Sequence, residues 1–265
     1  WTTTPWTLPA NVGLAVSAES NYVVVEGDFG DGSEQLVVAE DLLSTISNYE
    51  YSVRQVIKGE ALVGLTYTPL FTPETLENAY RVIEADFVSM DDGTGIVHIA
   101  PAYGAEDLEV GRREGLPVLH TVHQDGIIMD TVPQWAGVFI KEADEDIISD
   151  LRARGVLYEA GVIRHTYPFC WRCDSPLIYY AKVSWYIRTT AVQERLLSGN
   201  EEINWYPEHI KQGRFGEWLK NNIDWAVSRE RYWGTPMPIW TCIECEKNEC
   251  VGGISDLQDK HGVNG

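Results

Sequence analysis

Short Val-rich runs separated by tight-turn signals fill residues 1–165, and this spacing constrains the fold more than any other feature. NYVVVE, EQLVVAE, YRVIEADFV, TGIVHIA and LPVLHTV read as strands, divided by GDFGDG, DDGTG and HQDG. GDFGDG, at 27–32, lies between two Val-rich runs and reads as a hairpin tip. Two helical patches interrupt the pattern: EDLEVGRREG, and KEADEDIISDLRARG, in which Ile147, Ile148 and Leu151 share a face. Short strands mixed with short helices predict an α+β domain, with a closed, β-barrel-like arrangement of the strands. From residue 166 the texture changes. Trp and Tyr become dense, AVQERLLSG and FGEWLKNNIDWAVSRERY read as helices, and WTCIECEKNECVG at 240–252 reads as a zinc knuckle. The expected division is therefore 1–165 and 166–265.

Hydrophobic residues at 44% and a mean hydropathy of -0.20 exclude wholesale disorder. The longest apolar runs, such as VGLAVSA, are far short of the roughly 18–20 residues of a membrane span, and no secretory leader pattern is present. The opening at Trp1 and the close on DKHGVNG are read as those of a segment of a longer protein. The net charge is -20, and the first basic side chain is Arg54. Such acidity disfavours a surface that coats nucleic acid generally, which needs a basic face. It also serves solubility or reflects a salty environment.

Three constellations carry chemistry. In WTTTPWTLPAN, Thr2, Thr3 and Thr4 place hydroxyls on both sides of an extended segment that Pro5 ends, and Asn11 adds an amide. These residues suit a polar pocket, and equally a Thr-rich edge strand. In GTGIVHIAPAYGAEDLEVG, His98 stands among apolar neighbours, a position as compatible with a satisfied core histidine as with a functional one. Asp107 falls in the first turn of a helix, where exposed N–H groups favour an anion. It suits an anchor for a ligand ammonium, although Glu106 shares that turn. The third constellation is a pair of C-x2-C motifs, Cys170/Cys173 and Cys242/Cys245, with Cys250 left over. This spacing points to structural zinc in a reducing compartment rather than to disulfides. The four thiols make one site, or each pair is half of a site completed elsewhere.

WTTTPWTLPAN, GTGIVHIAPAYGAEDLEVG, PFCWRCDSPLIYYAKVSWYI and WAVSRERYWGTPMPIW together resemble the successive motifs of the isoleucyl-tRNA synthetases, class I enzymes, in that family's order and across nearly the whole chain. The resemblance implies that residues 1–165 are most of an inserted editing domain. The remainder would be the return connection into an incomplete Rossmann-type catalytic domain. It implies hydrolysis of valine misattached to the isoleucine tRNA, because one methylene in an apolar pocket is worth only about 1–3 kcal/mol, a magnitude established for this very discrimination. Thr2, Thr3, Thr4 and Asn11 would then line the editing pocket, His98 would block isoleucine, and Asp107 would bind the α-ammonium. The implied partners are tRNA(Ile), with valine on its terminal adenosine, and, for the longer protein, isoleucine, ATP and Mg. That protein is expected to be a cytoplasmic monomer with structural zinc. The family's two ATP-handling signatures, H-I-G-H and K-M-S-K-S, do not occur in these 265 residues, so no adenylate formation is expected from this segment alone. The cysteine pairs are implied to be separate half-sites. Alternatives are the matching segment of a valyl or leucyl enzyme, against which the triple Thr and His98 count, a freestanding deacylase, and a non-catalytic zinc-stabilised RNA-binding module.

Overall fold

The computed structural model describes residues 1–29, 32–163, 166–229 and 236–261. Alternation in the Val-rich runs builds the first sheet. β2 (Asn21–Asp28) turns Val23 and Val25 inward and pairs antiparallel with β3 (Ser33–Ala39) and with β4 (Tyr51–Lys58), giving the order β3-β2-β4. A bulge between Val24 and Val25 shifts the register to β4. A second sheet has the order β5-β1-β6. In it β1 (Gly13–Val16) lies parallel to β5 (Arg81–Glu84) and antiparallel to β6 (Ile96–Ile99).

These two small sheets correct the expectation of a closed barrel. Among the described residues no strand ladder joins them, and four-residue strands such as β1 and β6 are too short to wrap a closed sheet. They are linked instead at a corner. Ala39 N–H donates to Thr94 O at 3.0 Å, and the buried Tyr22 hydroxyl donates to Gly95 O at 2.7 Å while accepting Ser17 N–H at 3.0 Å. Gly95 has φ +73°, and a Cβ there would lie 2.4 Å from Ala39 Cβ. Gly95→Ala is therefore expected to cost about 1–3 kcal/mol through strain and overpacking, read as a melting temperature lower by several degrees. An unchanged melting temperature would contradict this account of the corner.

The helices follow their sequence patterns. α1 (Ala105–Glu114) ends at Gly115, whose φ of 69° is the left-handed cap that glycine favours. α2 (Ile140–Ala153) buries Ile140, Ala143, Ile147 and Leu151 on one face, against a core that includes Trp6, Tyr103 and Trp135. LPVLHTV forms no strand. Its buried residues, Leu116, Leu119, Thr121 and Val122, do not alternate as a strand's would, Pro117 lacks a donor, and only Val122 makes a bridge, to Ile128.

The first compact unit runs from Trp1 to Ala181, beyond the expected break at 165/166. Ile178 and Tyr180 pack on its core, and Ala181 N–H donates to Ala102 O at 2.7 Å. The second unit, Lys182–Gly265, contains α3 (Gln193–Glu202), α4 (Arg214–Lys220) and α5 (Ile254–His261). It also holds two ribbons, β7 (Tyr186–Ile187) with β8 (Trp225–Ala226), and β9 (Ile239–Thr241) with β10 (Asn248–Cys250). The helix expected through 232 stops at Lys220: Asn221 caps it by donating from Nδ2 to Glu217 O at 2.8 Å, and Trp225 then enters the ribbon. Residues 230–235, which hold part of the RERYWGT motif, lie outside the described residues, as do Gly30 and Asp31 of the hairpin tip.

Candidate active site

The threonine segment does not continue as a strand. Pro5 opens a 3-10 helix, Pro5–Ala10, for which its fixed φ and missing N–H are suited. The Asp144 carboxylate reaches over from α2 and accepts Trp6 N–H at 2.9 Å, capping this helix. Because a 3-10 turn holds three residues, Thr7 stands on the same side as Thr4. Its N–H donates to Thr4 O at 3.0 Å and its hydroxyl donates to the same oxygen at 2.7 Å.

The hydrogen-bond partners settle the direction of every proton around His98. The Asn11 Nδ2 donates to Gly13 O at 2.8 Å, an oxygen that can only accept, so the amide orientation is fixed. The same nitrogen faces His98 Nδ1 at 3.0 Å, which must therefore accept. The ring proton sits on Nε2 and is donated to Thr7 Oγ1 at 2.9 Å. With the Thr7 proton committed to Thr4 O, the Thr4 hydroxyl donates to Thr7 Oγ1 at 3.2 Å and keeps acceptor capacity of its own. Tyr67 closes the chain by donating to Asn11 Oδ1. Burial lowers the His98 pKa to about 3. Both ring nitrogens are occupied and the ring is neutral, so neither nitrogen is free to take a proton from a ligand.

These groups border a cavity of about 300 Å³ lined by Trp1, Thr2, Thr3, Thr4, Thr7, Val97, His98, Ala100, Tyr103, Gly104 and Asp107. Asp107 sits in the first turn of α1, and one of its oxygens accepts Ala100 N–H at 2.8 Å. Burial pushes its carboxyl above the ordinary aspartate value, opposed by the Ala100 hydrogen bond. Glu106 is exposed and does not line the cavity. Gly104 admits the carboxylate, since a Cβ there would lie 2.7 Å from Asp107 Cγ. Gly104→Ala is expected to displace the Asp107 carboxylate and cost about 1–3 kcal/mol through overpacking. Thermal melting checks this, and an unchanged melting temperature would contradict it.

Five of the six anticipated residues, Thr2, Thr3, Thr4, His98 and Asp107, thus border one cavity. Asn11 stands behind His98 and orients it. Thr7, Tyr103 and Gly104 were not anticipated. Spacing could have indicated Thr7, had the proline been read as the start of a three-residue turn. Tyr103 is fixed by accepting N–H bonds from Thr121 and Val122 at 2.7 and 2.8 Å, contacts invisible in local pattern. A larger cavity of about 520 Å³ beside Phe71 and Val132 has Arg154 in its wall, but Asp150 and Leu70 O engage that guanidinium.

The cysteine pairs lie in different units and adopt the same turn. Cys170 N–H donates to Ser175 O at 2.8 Å and Asp174 N–H to Cys170 O at 2.9 Å; Cys242 N–H donates to Lys247 O, and Glu246 N–H to Cys242 O, both at 2.9 Å. Asp174 and Glu246 occupy the same place in each turn, with φ of 53° and 57°. Hydrogen bonding with Ser175 holds the Cys173 thiol below its ordinary range, and the backbone N–H of Cys245 does the same for Cys242. Among the described residues, no group of three or more His, Cys, Asp or Glu side chains is placed to hold a metal.

The chain belongs to the class I tRNA synthetases (I, L, M and V), whose family model matches residues 5–263. The relatives it resembles at high identity are isoleucine–tRNA ligases. That of Dehalococcoides mccartyi strain CBDB1 is 54% identical over 100% of this chain and 27% of its own length. That of Thermus thermophilus is 49% identical over 97% of this chain and 24% of its own. The chain therefore spans about a quarter of the length of these relatives. A solved P. falciparum cytosolic leucyl-tRNA synthetase editing domain aligns with a TM-score of 0.49 and 13% identity, over 58% of this chain and 75% of that one, too slight a likeness to fix the fold.

Proposed function

We propose that the cavity hydrolyses valine from misacylated tRNA(Ile), as part of a longer isoleucine–tRNA ligase. The observation that carries this reading is the half-buried Asp107 carboxylate facing a small cavity walled by threonine hydroxyls and a neutral His98. The α-ammonium of the attached valine pairs with Asp107, which places the ester carbonyl among the hydroxyls. Water held by Thr hydroxyls and the neighbouring ribose hydroxyl attacks that carbon. A C–O bond forms to the water oxygen, the ester C–O bond to the ribose breaks, and the water proton ends on the ribose oxygen, releasing valine and intact tRNA. No side chain is assigned as general base. His98 limits the depth of the cavity, so isoleucine does not fit. The longer protein would bind isoleucine, ATP and Mg and would carry out the attachment reaction. A rate of valyl-tRNA(Ile) hydrolysis by this chain no faster than in buffer would overturn the reading of the cavity.

The two turns also suit zinc: each presents two cysteines with the N–H groups that favour thiolates. In this reading Cys170/Cys173 and Cys242/Cys245 each supply half of a separate tetrahedral site. Zinc would supply rigidity there, not chemistry. Metal analysis with X-ray absorption is expected to show no zinc bound by all four thiolates together. One tightly held zinc with those four sulfurs would refute separate half-sites.

A further inference from the structure

We propose that Asp144, outside the cavity wall, is a positioning residue: by capping the 3-10 helix from α2 it relieves Thr4 of that task and leaves the Thr4 hydroxyl at the cavity. The inference rests on the reading of that cavity as a deacylation site. Asp144 breaks the pattern of its own helix. Ile140, Ala143, Ile147 and Leu151 mark the buried face of α2, and Asp144, four residues after Ile140, falls on that face, where an apolar side chain is the ordinary choice. Burial raises its pKa above the usual aspartate value, opposed by the hydrogen bond from Trp6 and by the charge of Lys141. The carboxylate accepts Trp6 N–H at 2.9 Å, across 138 residues of sequence.

A helix usually finds this cap next door. Thr4 precedes Pro5, and a threonine at that position ordinarily turns its hydroxyl oxygen toward the N–H of the second or third helical residue, here Trp6 or Thr7. Thr4 makes no such bond. Trp6 N–H goes to Asp144 and Thr7 N–H to Thr4 O at 3.0 Å, so both donors are satisfied without the hydroxyl. The Thr4 hydroxyl instead bonds Thr7 Oγ1 at 3.2 Å, and Thr4 lines the cavity with Thr2 and Thr3. Without the carboxylate, the buried Trp6 keeps an N–H that has lost its acceptor, a costly state. The Thr4 hydroxyl is then drawn back to the helix and away from the cavity. Asp144 is absent from the cavity lining, so it acts on the reaction only through Thr4.

Kinetics of valyl-tRNA(Ile) hydrolysis and NMR of the chain test this together. Asp144→Ala is expected to lower kcat by about 10- to 100-fold with KM little changed, the scale on which a misplacement of about an ångström acts. Asp144→Asn keeps an oxygen for Trp6 N–H and is expected to restore most of kcat. Thr4→Ala is expected to slow the reaction, and to slow Asp144→Ala no further, since both changes take the same hydroxyl from the cavity. In the spectrum, the Trp6 amide proton should lie downfield in the unaltered chain and in Asp144→Asn, and move upfield in Asp144→Ala. The three-bond couplings of Thr4 should show one χ1 rotamer in the first two and another in Asp144→Ala. A Trp6 proton at the position of an unbonded amide in the unaltered chain overturns the proposal, whether or not a variant folds. So does a folded Asp144→Ala chain with the original kcat or the original Thr4 rotamer, an Asp144→Asn chain as slow as Asp144→Ala, or rate losses from Asp144→Ala and Thr4→Ala that multiply in full. A chain with the expected Trp6 and Thr4 signals in both variants that hydrolyses neither tRNA sinks the deacylase reading and leaves the positioning of Thr4 by Asp144 intact.

Discussion

Replacing Asp107 with alanine is expected to slow hydrolysis of valyl-tRNA(Ile) by about 30- to 1000-fold, the equivalent of roughly 2–4 kcal/mol for losing the partner of a desolvated charge. The carboxylate is well placed for such an effect. One oxygen is tied to Ala100 N–H, the helix start of α1 lies beneath it, and Gly104 leaves the approach open. The acid limb of the rate should report the same group. Burial raises the Asp107 pKa above 3.8, and only the ionised form pairs with the substrate ammonium. Activity should therefore fall as pH drops through that raised value, at a higher pH than a free aspartate would give. Asp107→Asn should lose this limb along with most of the rate. A folded alanine variant that deacylates normally, measured with labelled valine, would remove Asp107 from the role.

His98→Ala is expected to change what is hydrolysed more than how fast. The ring is buried and closes one side of the cavity, so its removal leaves room for a further methylene. Discrimination against isoleucyl-tRNA(Ile) should fall by about 10- to 200-fold, the range that one methylene in an apolar pocket controls. Thr7 and Asn11 lose a partner in the same variant, so a stability loss of about 1–3 kcal/mol should accompany the change. With its pKa lowered to about 3, His98 stays neutral throughout the working range, and the rate should show no step near neutral pH that vanishes in His98→Ala. A folded variant that still spares isoleucyl-tRNA would show that something else sets the size limit.

The legible parts of the molecule were those encoded by nearby residues. The β2 and β3 runs, α1 with its acidic first turn and Gly115, and the apolar face of α2 all follow from local periodicity. The place of Asp107 in the first turn of α1 was legible for the same reason. The threonine segment was harder, because a proline that ends a strand also begins a 3-10 helix. Only the distant Asp144 cap and the packing of Trp6 on Tyr103, with ring centroids 4.9 Å apart, show which applies. Residues 166–181 share the aromatic composition of the second unit, yet Ile178 and Tyr180 complete the core of the first. Composition does not say which core an aromatic side chain will join. The Tyr67 link was out of reach, since it joins positions 56 residues apart.

The activity proposed for this cavity is the removal of valine with isoleucine spared. The most direct measurement is deacylation by the chain of valyl-tRNA(Ile) and isoleucyl-tRNA(Ile), side by side at equal concentration. The account predicts rapid release of valine and little release of isoleucine. Equal release of both, or release of neither by a chain shown to be folded, would contradict it.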